Sequence, residues 1–265
     1  MIRLAFRAPA EAAEQVLAAL LELAPGGVEQ VDGDGFVEYA VYGAPGELPS
    51  FPSGEAEVGG VLVRVRGEPV AGDWAERWKE FHQPVLIGER VFVRPPWASP
   101  RPGVLDLVID PGQAFGTGAH ATTRLSLELL LELEPRGSFA DLGCGSGVLA
   151  IAAAKLGFGP VAAVDNEEAA LEATRANAAA NGVSLERAER LDLRAERPPA
   201  AETVAANLMR PLLLRLAESM EEPPQALILS GLLDDEADEV AAAFAGLEER
   251  HRLSSRGWTA LLLGG

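Results

Sequence analysis

Residues 139–165 read Phe139-Ala-Asp-Leu-Gly-Cys-Gly-Ser-Gly-Val148-Leu-Ala-Ile-Ala-Ala-Ala-Lys-Leu-Gly-Phe-Gly-Pro-Val161-Ala-Ala-Val-Asp165. The short apolar run 139–142 predicts a buried strand, 148–156 a helix and 161–164 a second strand. Between the first strand and the helix lie Gly143, Gly145 and Gly147. Residues without a Cβ let the backbone turn tightly and approach a ligand closely. The helix beginning near Val148 directs the positive end of its dipole at the same point. Asp165 closes the second strand, where an acidic side chain can bond ribose hydroxyls. It could equally cap the helix that follows, predicted over 167–181. The spacing is G-x-G-x-G and not the G-x-G-x-x-G of dinucleotide enzymes. A nucleotide-like ligand at the end of a first strand is the consequence.

Working outward, strands at 203–206 and 226–230 alternate with helices beginning near Leu212 and Asp234. Such alternation implies a doubly wound α/β sheet of parallel strands with helices on both faces. Ligands of that architecture bind at the carboxyl ends of the strands. Upstream, 2–7, 28–31, 36–42 and 61–65 read as strands, and 11–24 as a helix through Val16, Leu17, Leu20 and Leu21. Residues 1–70 thus form a small α+β domain, near the practical lower limit for an independent core. Residues 71–95 are expected to form a connector with a helix carrying Trp74 and Trp78 on one face, four residues apart. The large domain occupies 96–265, with strands expected at 85–87 and 91–93 just before it.

Composition narrows the partners. The 265 residues carry a formal net charge of −18, and Lys79 and Lys155 are the only lysines. No basic stripe of the kind that grips nucleic acid is present, so direct nucleic-acid binding is not expected. An acidic surface steers encounter with basic partners. The N-terminus lacks a secretory signal pattern, and no run reaches the roughly 18 apolar residues of a membrane helix. A single cysteine, Cys144, rules out an internal disulfide and suits a reducing cytoplasm. No His, Cys and carboxylate cluster has metal-ligand spacing, so no metal is expected.

A second informative block is Asp110-Pro-Gly-Gln-Ala-Phe115-Gly-Thr-Gly-Ala-His120-Ala-Thr-Thr123. Gly112, Gly116 and Gly118 suit a loop able to close over a ligand. Thr122 and Thr123 open an apolar helix, and one of them is expected to be its N-cap. Phe115 is either a site aromatic or a core anchor of the loop. His120 either moves a proton, with a suitable unperturbed pKa, or orients the loop by hydrogen bonding; the orienting role is preferred. Cys144 reads as a small packing residue, because nothing nearby would lower its pKa. Asp192 follows a possible further strand and is a weaker candidate for a base contact.

Asp141-x-Gly-x-Gly-x-Gly147 followed by Asp165 resembles the signature of class I S-adenosylmethionine-dependent methyltransferases. The 110–123 block, the tryptophan segment, Ala206-Asn207-Leu208 and Leu229-Ser-Gly-Leu232 together resemble the PrmA family, which methylates protein eleven of the large ribosomal subunit. The resemblance implies a Rossmann-like domain binding S-adenosyl-L-methionine through Thr123, Gly143, Gly145, Asp165 and Asn207, with Phe115 near the methyl donor. It implies a basic ribosomal protein as substrate, recognised by the N-terminal domain, and a cytoplasmic N-methyltransferase of lysine or α-amino groups. Asn207 is followed by Leu-Met-Arg, unlike the Asn-Pro-Pro-Tyr of enzymes that methylate base or glutamine amines. An aliphatic amine attacks once deprotonated, so catalysis would rest on positioning and desolvation, and no general base is assigned. Ala121, Leu208 and Pro223-Pro224 depart from the family pattern without removing a cofactor group. Rival readings are methylation of another protein's lysines or of a small amine, or a binding or assembly factor without transfer. Oligomeric state stays open.

Overall fold

The computed structural model describes residues 2–23, 28–33, 35–43, 54–69, 82–111, 118 and 120–265. The chain divides into two compact units, Met1–Phe81 and His82–Gly265. The expected tryptophan helix lies outside the described residues.

In the first unit, β1 (Ile2–Pro9) leads through a single 3-10 turn (Ala10–Ala12) into α1 (Ala13–Leu23). Then come β2 (Glu29–Gly33), β3 (Phe36–Gly43), β4 (Gly54–Val58) and β5 (Val61–Pro69). The strands pair antiparallel in the order β2-β3-β1-β5-β4. Leu4, Phe6 and Ala8 share a face with Val37, Tyr39, Val41, Val63 and Val65, and Val16 and Leu20 of α1 join them in one buried cluster. Period-two burial on the strands against four-residue spacing on the helix is what an α-on-β layer requires. Tyr39 donates its phenol to the Ala13 carbonyl at 3.0 Å, so its ring is buried without an orphaned hydroxyl. Strand β4 was not expected. Its sequence GEAEV is polar and exposed along most of its length, as suits an edge.

The second unit opens with β6 (Val85–Ile87), β7 (Val91–Arg94) and β8 (Leu105–Val108), a small sheet in which β6-β7 is antiparallel and β7-β8 parallel. A two-pronged Arg94–Asp106 ion pair at 2.7 and 2.8 Å closes it. Next come α2 (Ala121–Leu130), β9 (Phe139–Leu142), α3 (Val148–Leu156), β10 (Val161–Asp165) and α4 (Glu168–Ala180). They are followed by β11 (Arg187–Arg190), β12 (Thr203–Asn207), α5 (Arg210–Ser219), β13 (Ala226–Leu233) and α6 (Ala237–Ala243). A hairpin of β14 (Glu248–Ser255) and β15 (Trp258–Gly264) ends the chain.

The large sheet has the order β11-β10-β9-β12-β13-β15-β14. Its first five strands are parallel, and the order reverses beside β9, the switch point where α/β folds bind ligands. Only β15 runs against them, paired antiparallel with β13 on one side and β14 on the other, an addition that the parallel alternation did not announce. Successive residues of each strand serve opposite faces. Phe139, Ala163, Ala205 and Ile228 pack with α2 and α3, whereas Ala140, Val164, Val204 and Leu227 pack with α5 and α6. Apolar runs without alternation therefore belong to strands covered on both sides. No helix among the described residues is long and apolar enough to cross a membrane.

Candidate active site

Strand register fixes the geometry first. Leu142 of β9 is aligned with Val164 of β10 on one side and Ala206 of β12 on the other. Gly143, Asp165 and Asn207 are each one residue further, so they emerge side by side from three neighbouring carboxyl ends. Asn207 is in turn aligned with Ser230 of β13. The Ser230 hydroxyl donates to the Thr122 carbonyl at 3.1 Å, which brings the first turn of α2, with Thr123, to the same edge.

The glycine loop is pinned from within. The amides of Gly143 and Cys144 both donate to the Val164 carbonyl at 2.9 and 3.0 Å, and that of Gly147 to Cys144 O at 2.7 Å. The Gly145 amide donates to Asp165 Oδ2 at 2.9 Å, and the Glu167 amide to Asp165 Oδ1 at 3.1 Å. Asp165 thus braces the loop and the entry to α4 together, and each carboxylate oxygen retains a lone pair for a ligand hydroxyl. Gly143 has φ +74°, and a Cβ there would lie 2.4 Å from Leu208 Cδ2. The left-handed backbone favours glycine there, and a Cβ would also displace the side chain of Leu208, the residue after Asn207. From the opposite side, Gly231 sits at φ +85° with its missing Cβ 2.4 Å from the Leu208 carbonyl oxygen.

Helix α3 starts at Gly147, in the left-handed region, with no capping side chain of its own. Asp141 replaces the cap: its Oδ2 accepts from the Ala150 amide at 3.0 Å. Burial drives the Asp141 carboxyl up to about 7, against the lowering effect of that amide and with a smaller upward push from the Asp165 charge. In the sequence Asp141 counts only as the head of the glycine signature, with no role of its own, although a lone carboxylate inside the apolar run FADL is the signal of a buried functional acid. Cys144 is buried, its thiol pushed well above its usual range chiefly by burial, and it accepts from the Thr174 hydroxyl at 3.3 Å. It is a packing element and not a nucleophile.

The cap of α2 differs from expectation. His120, in an extended conformation, is the N-cap, and its Nδ1 accepts from the Thr122 amide at 3.4 Å and contacts Thr122 Oγ1 at 2.8 Å. Both threonines lie inside the first turn, because the imidazole reaches the amide two residues on as an Asn or Asp would. His120 also meets Trp258 edge to face at 5.0 Å. Burial, and then the Arg124 charge, lower its pKa, so the ring is neutral at neutral pH. These contacts tie His120 to the start of α2 and to Trp258. Thr123 Oγ1 is fully buried and finds no hydrogen-bond partner among the described residues. A buried hydroxyl left unpaired is costly, and here it stands beside the glycine loop's edge of the sheet.

Phe115, with Gly112 and Gly116, lies outside the described residues. Gly118 is described, at φ +81° and packed on Val93. Asp192 follows β11 and is exposed, paired with Arg194 Nε at 2.9 Å, which holds its carboxyl below the usual range. His251 pairs with Glu132 at 2.7 Å, away from this edge. Among the described residues no three His, Cys, Asp or Glu side chains are grouped so as to hold a metal. The glycine cradle, the Asp165 carboxylate and the orphaned Thr123 hydroxyl suit a ligand combining a ribose with hydrogen-bonding polar groups.

Comparison with known proteins decides the lineage. Residues 63–264 match the family model described as ribosomal protein L11 methyltransferase (PrmA). The chain belongs to this family. A PrmA relative from Azotobacter vinelandii, named ribosomal protein L11 methyltransferase, is 43% identical over 180 residues, 66% of this chain and 61% of the relative. One of the same name from Chloroflexus aurantiacus is 40% identical over 223 residues, 72% of this chain and 68% of the relative. Several matches thus span only about 60% of the relative's length. Among solved structures, a ribosomal protein L11 methylase from Lactobacillus delbrueckii subsp. bulgaricus has a TM-score of 0.62 at 25% identity, covering 69% of this chain and 98% of that one. The PrmA match takes in the whole carboxyl edge described above and begins within β5, so residues 1–62 lie outside it.

Proposed function

We propose that the chain is an S-adenosylmethionine-dependent protein N-methyltransferase acting on lysine or α-amino groups of a large-subunit ribosomal protein, L11 as in its named relatives. The observation that carries this reading is the family match over 63–264 laid on a register that brings Gly143, Asp165, Asn207 and Thr123 to one edge. Asp165 would take the ribose hydroxyls, Gly143 and Gly145 the close backbone approach, and Thr123 and Asn207 polar groups of the donor. Phe115 would lie near the methyl group.

When bound, S-adenosylmethionine supplies an electrophilic methyl on a sulfonium sulfur. The chain's own contribution is position and exclusion of water. Leu208, the residue after Asn207, is held with its side chain against Gly143 and its backbone against Gly231, which fixes the asparagine at the end of β12. Neutral His120 shapes the start of α2 and carries no catalytic step. The acceptor nitrogen loses its proton to solvent before attack. The net charge of −18 favours encounter with a basic protein, and a cytoplasmic location fits the single buried cysteine.

Incubating the chain with methyl-labelled S-adenosylmethionine and the mixed proteins of the large subunit tests this. Label on L11 amines is expected. Label on a different protein would overturn the substrate, and tight donor binding without transfer would point to an assembly factor.

A further inference from the structure

Two amide side chains of α4 grip backbone from other parts of the second unit. Asn181 brackets Val108, accepting from its amide at 2.9 Å and donating to its carbonyl at 2.6 Å. One turn earlier, Asn177 accepts from the Asp110 amide at 2.9 Å. Lys155 Nζ continues the row with a 2.6 Å bond to the Asp106 carbonyl. Residues 106, 108 and 110 alternate along one edge of β8, whose other edge pairs with β7. The side chains of α3 and α4 therefore replace a missing strand, satisfying backbone groups that would otherwise be buried unpaired.

Asn177 does something Asn181 does not. Its Nδ2 donates to the Ser146 carbonyl, inside the glycine loop, at 2.9 Å, and the side chain is 2% exposed. Thr174, three residues earlier on the same face, donates to the neighbouring Gly145 carbonyl at 2.9 Å. In a trans peptide the carbonyl and the following amide point to opposite sides. Drawing the Gly145 carbonyl toward α4 thus sets where the Ser146 amide aims, and drawing that of Ser146 the same way holds the Gly147 amide on Cys144 O within the loop.

We infer that Asn177 is a positioning residue of the donor site: it fixes the Ser146–Gly147 peptide of the glycine loop relative to the backbone at Asp110, from which the chain runs on to His120 and Thr123. The inference rests on the donor reading of that loop. Asn177→Asp keeps an acceptor for the Asp110 amide but loses the donor to Ser146, and Asn177→Ala loses both. Asn181→Ala removes bonds from the same helix to β8 without touching the loop.

S-adenosylhomocysteine is titrated calorimetrically into the full chain and each variant, with thermal unfolding recorded alongside. Loss of one buried hydrogen bond is expected to weaken binding about tenfold in the Asn177 variants. KM for S-adenosylmethionine is expected to rise by a similar factor with kcat little changed. Asn181→Ala lowers the unfolding temperature yet leaves the affinity within about twofold of the parent, since its bonds do not reach the loop. If Asp at 177 prevents folding, the Ala variant is read in its place. Parental affinity in the Asn177 variants, or equal weakening by Asn181→Ala at matched loss of stability, would overturn the inference alone. Failure of the unaltered chain to bind the probe would overturn the donor reading and the inference with it.

Discussion

The two units of this chain bury apolar surface in the same way and polar groups in different ways. In the first, the described core is aliphatic and aromatic, and its charges sit on the other face, where Arg3 and Arg7 share Glu38. In the second, Thr122, Thr123, Ser126, Asp141, Ser146, Thr174, Asn177 and Ser230 are all buried, and they cluster where β9, β12 and β13 end. Every buried polar or charged residue among the described ones lies in this unit. Burying polar groups costs free energy unless each finds a partner. Gathering so many at one edge, with no partner for Thr123 Oγ1 among the described residues, is what the proposed ligand site at that edge would require. The described part of the first unit holds no such cluster, and most of that unit falls outside the family match.

The contrast breaks if damage to one unit spreads to the other. Phe6→Ala removes a ring from the first core and should cost that unit about 3–5 kcal/mol. Hydrogen exchange should show the loss there, while calorimetry finds S-adenosylhomocysteine binding to the second unit almost unchanged. Gly143→Ala should do the reverse. A methyl group on a backbone at φ +74° should cost about 1–2 kcal/mol, felt as a loss of about tenfold in affinity for the same probe. Exchange in the first unit should not change.

The cofactor side of this contrast was legible in the sequence because its strands are short apolar runs that end in functional residues. Gly143 and Asp165 follow from the glycine loop and the strand end after it, whereas Asn207 and Thr123 came from the family resemblance. The polar scaffold beneath them was not legible. Thr174 and Asn177 sit in EATRANAAANG, which reads as a solvated helix, yet they share the buried face of α4 with Ala170, Leu171 and Ala178. Polar residues at the apolar positions of a helical repeat were the available signal. The terminal hairpin was hidden for a different reason. EERHRLSS is too polar to announce a strand, and only Arg256-Gly257, both at positive φ, mark the turn. The capping of α2 by His120 escaped because histidine is outside the usual capping set.

Two further effects sharpen the contrast. Asp165→Ala removes the acceptor for the Gly145 amide and the group proposed for the ribose. Binding of S-adenosylhomocysteine should fall about tenfold or somewhat more, as for loss of charge-assisted hydrogen bonds, by calorimetry.

The units should also respond to pH with opposite signs. Asp141 holds its proton more tightly when folded, at about 7 against an ordinary 3.8. Its contribution to stability is therefore full below 3.8 and lost as pH rises toward 7. For Glu38, burial pushes the pKa up, but the bonds and charges of Arg3 and Arg7 prevail and leave it below 4.5. That contribution is full above 4.5 and lost as pH falls through the lowered value. Hydrogen exchange followed separately in the two units across this range reads both, and Asp141→Asn should flatten the dependence in the second unit alone.

The most direct test of the central claim is the intact mass of purified ribosomal protein L11 during incubation with S-adenosylmethionine and either the parent chain or Asn207→Ala. L11 is expected to gain whole methyl groups with the parent, mapped to amine nitrogens, and to gain them far more slowly with the variant. An unchanged L11 mass, while the parent chain binds S-adenosylhomocysteine, would contradict that claim.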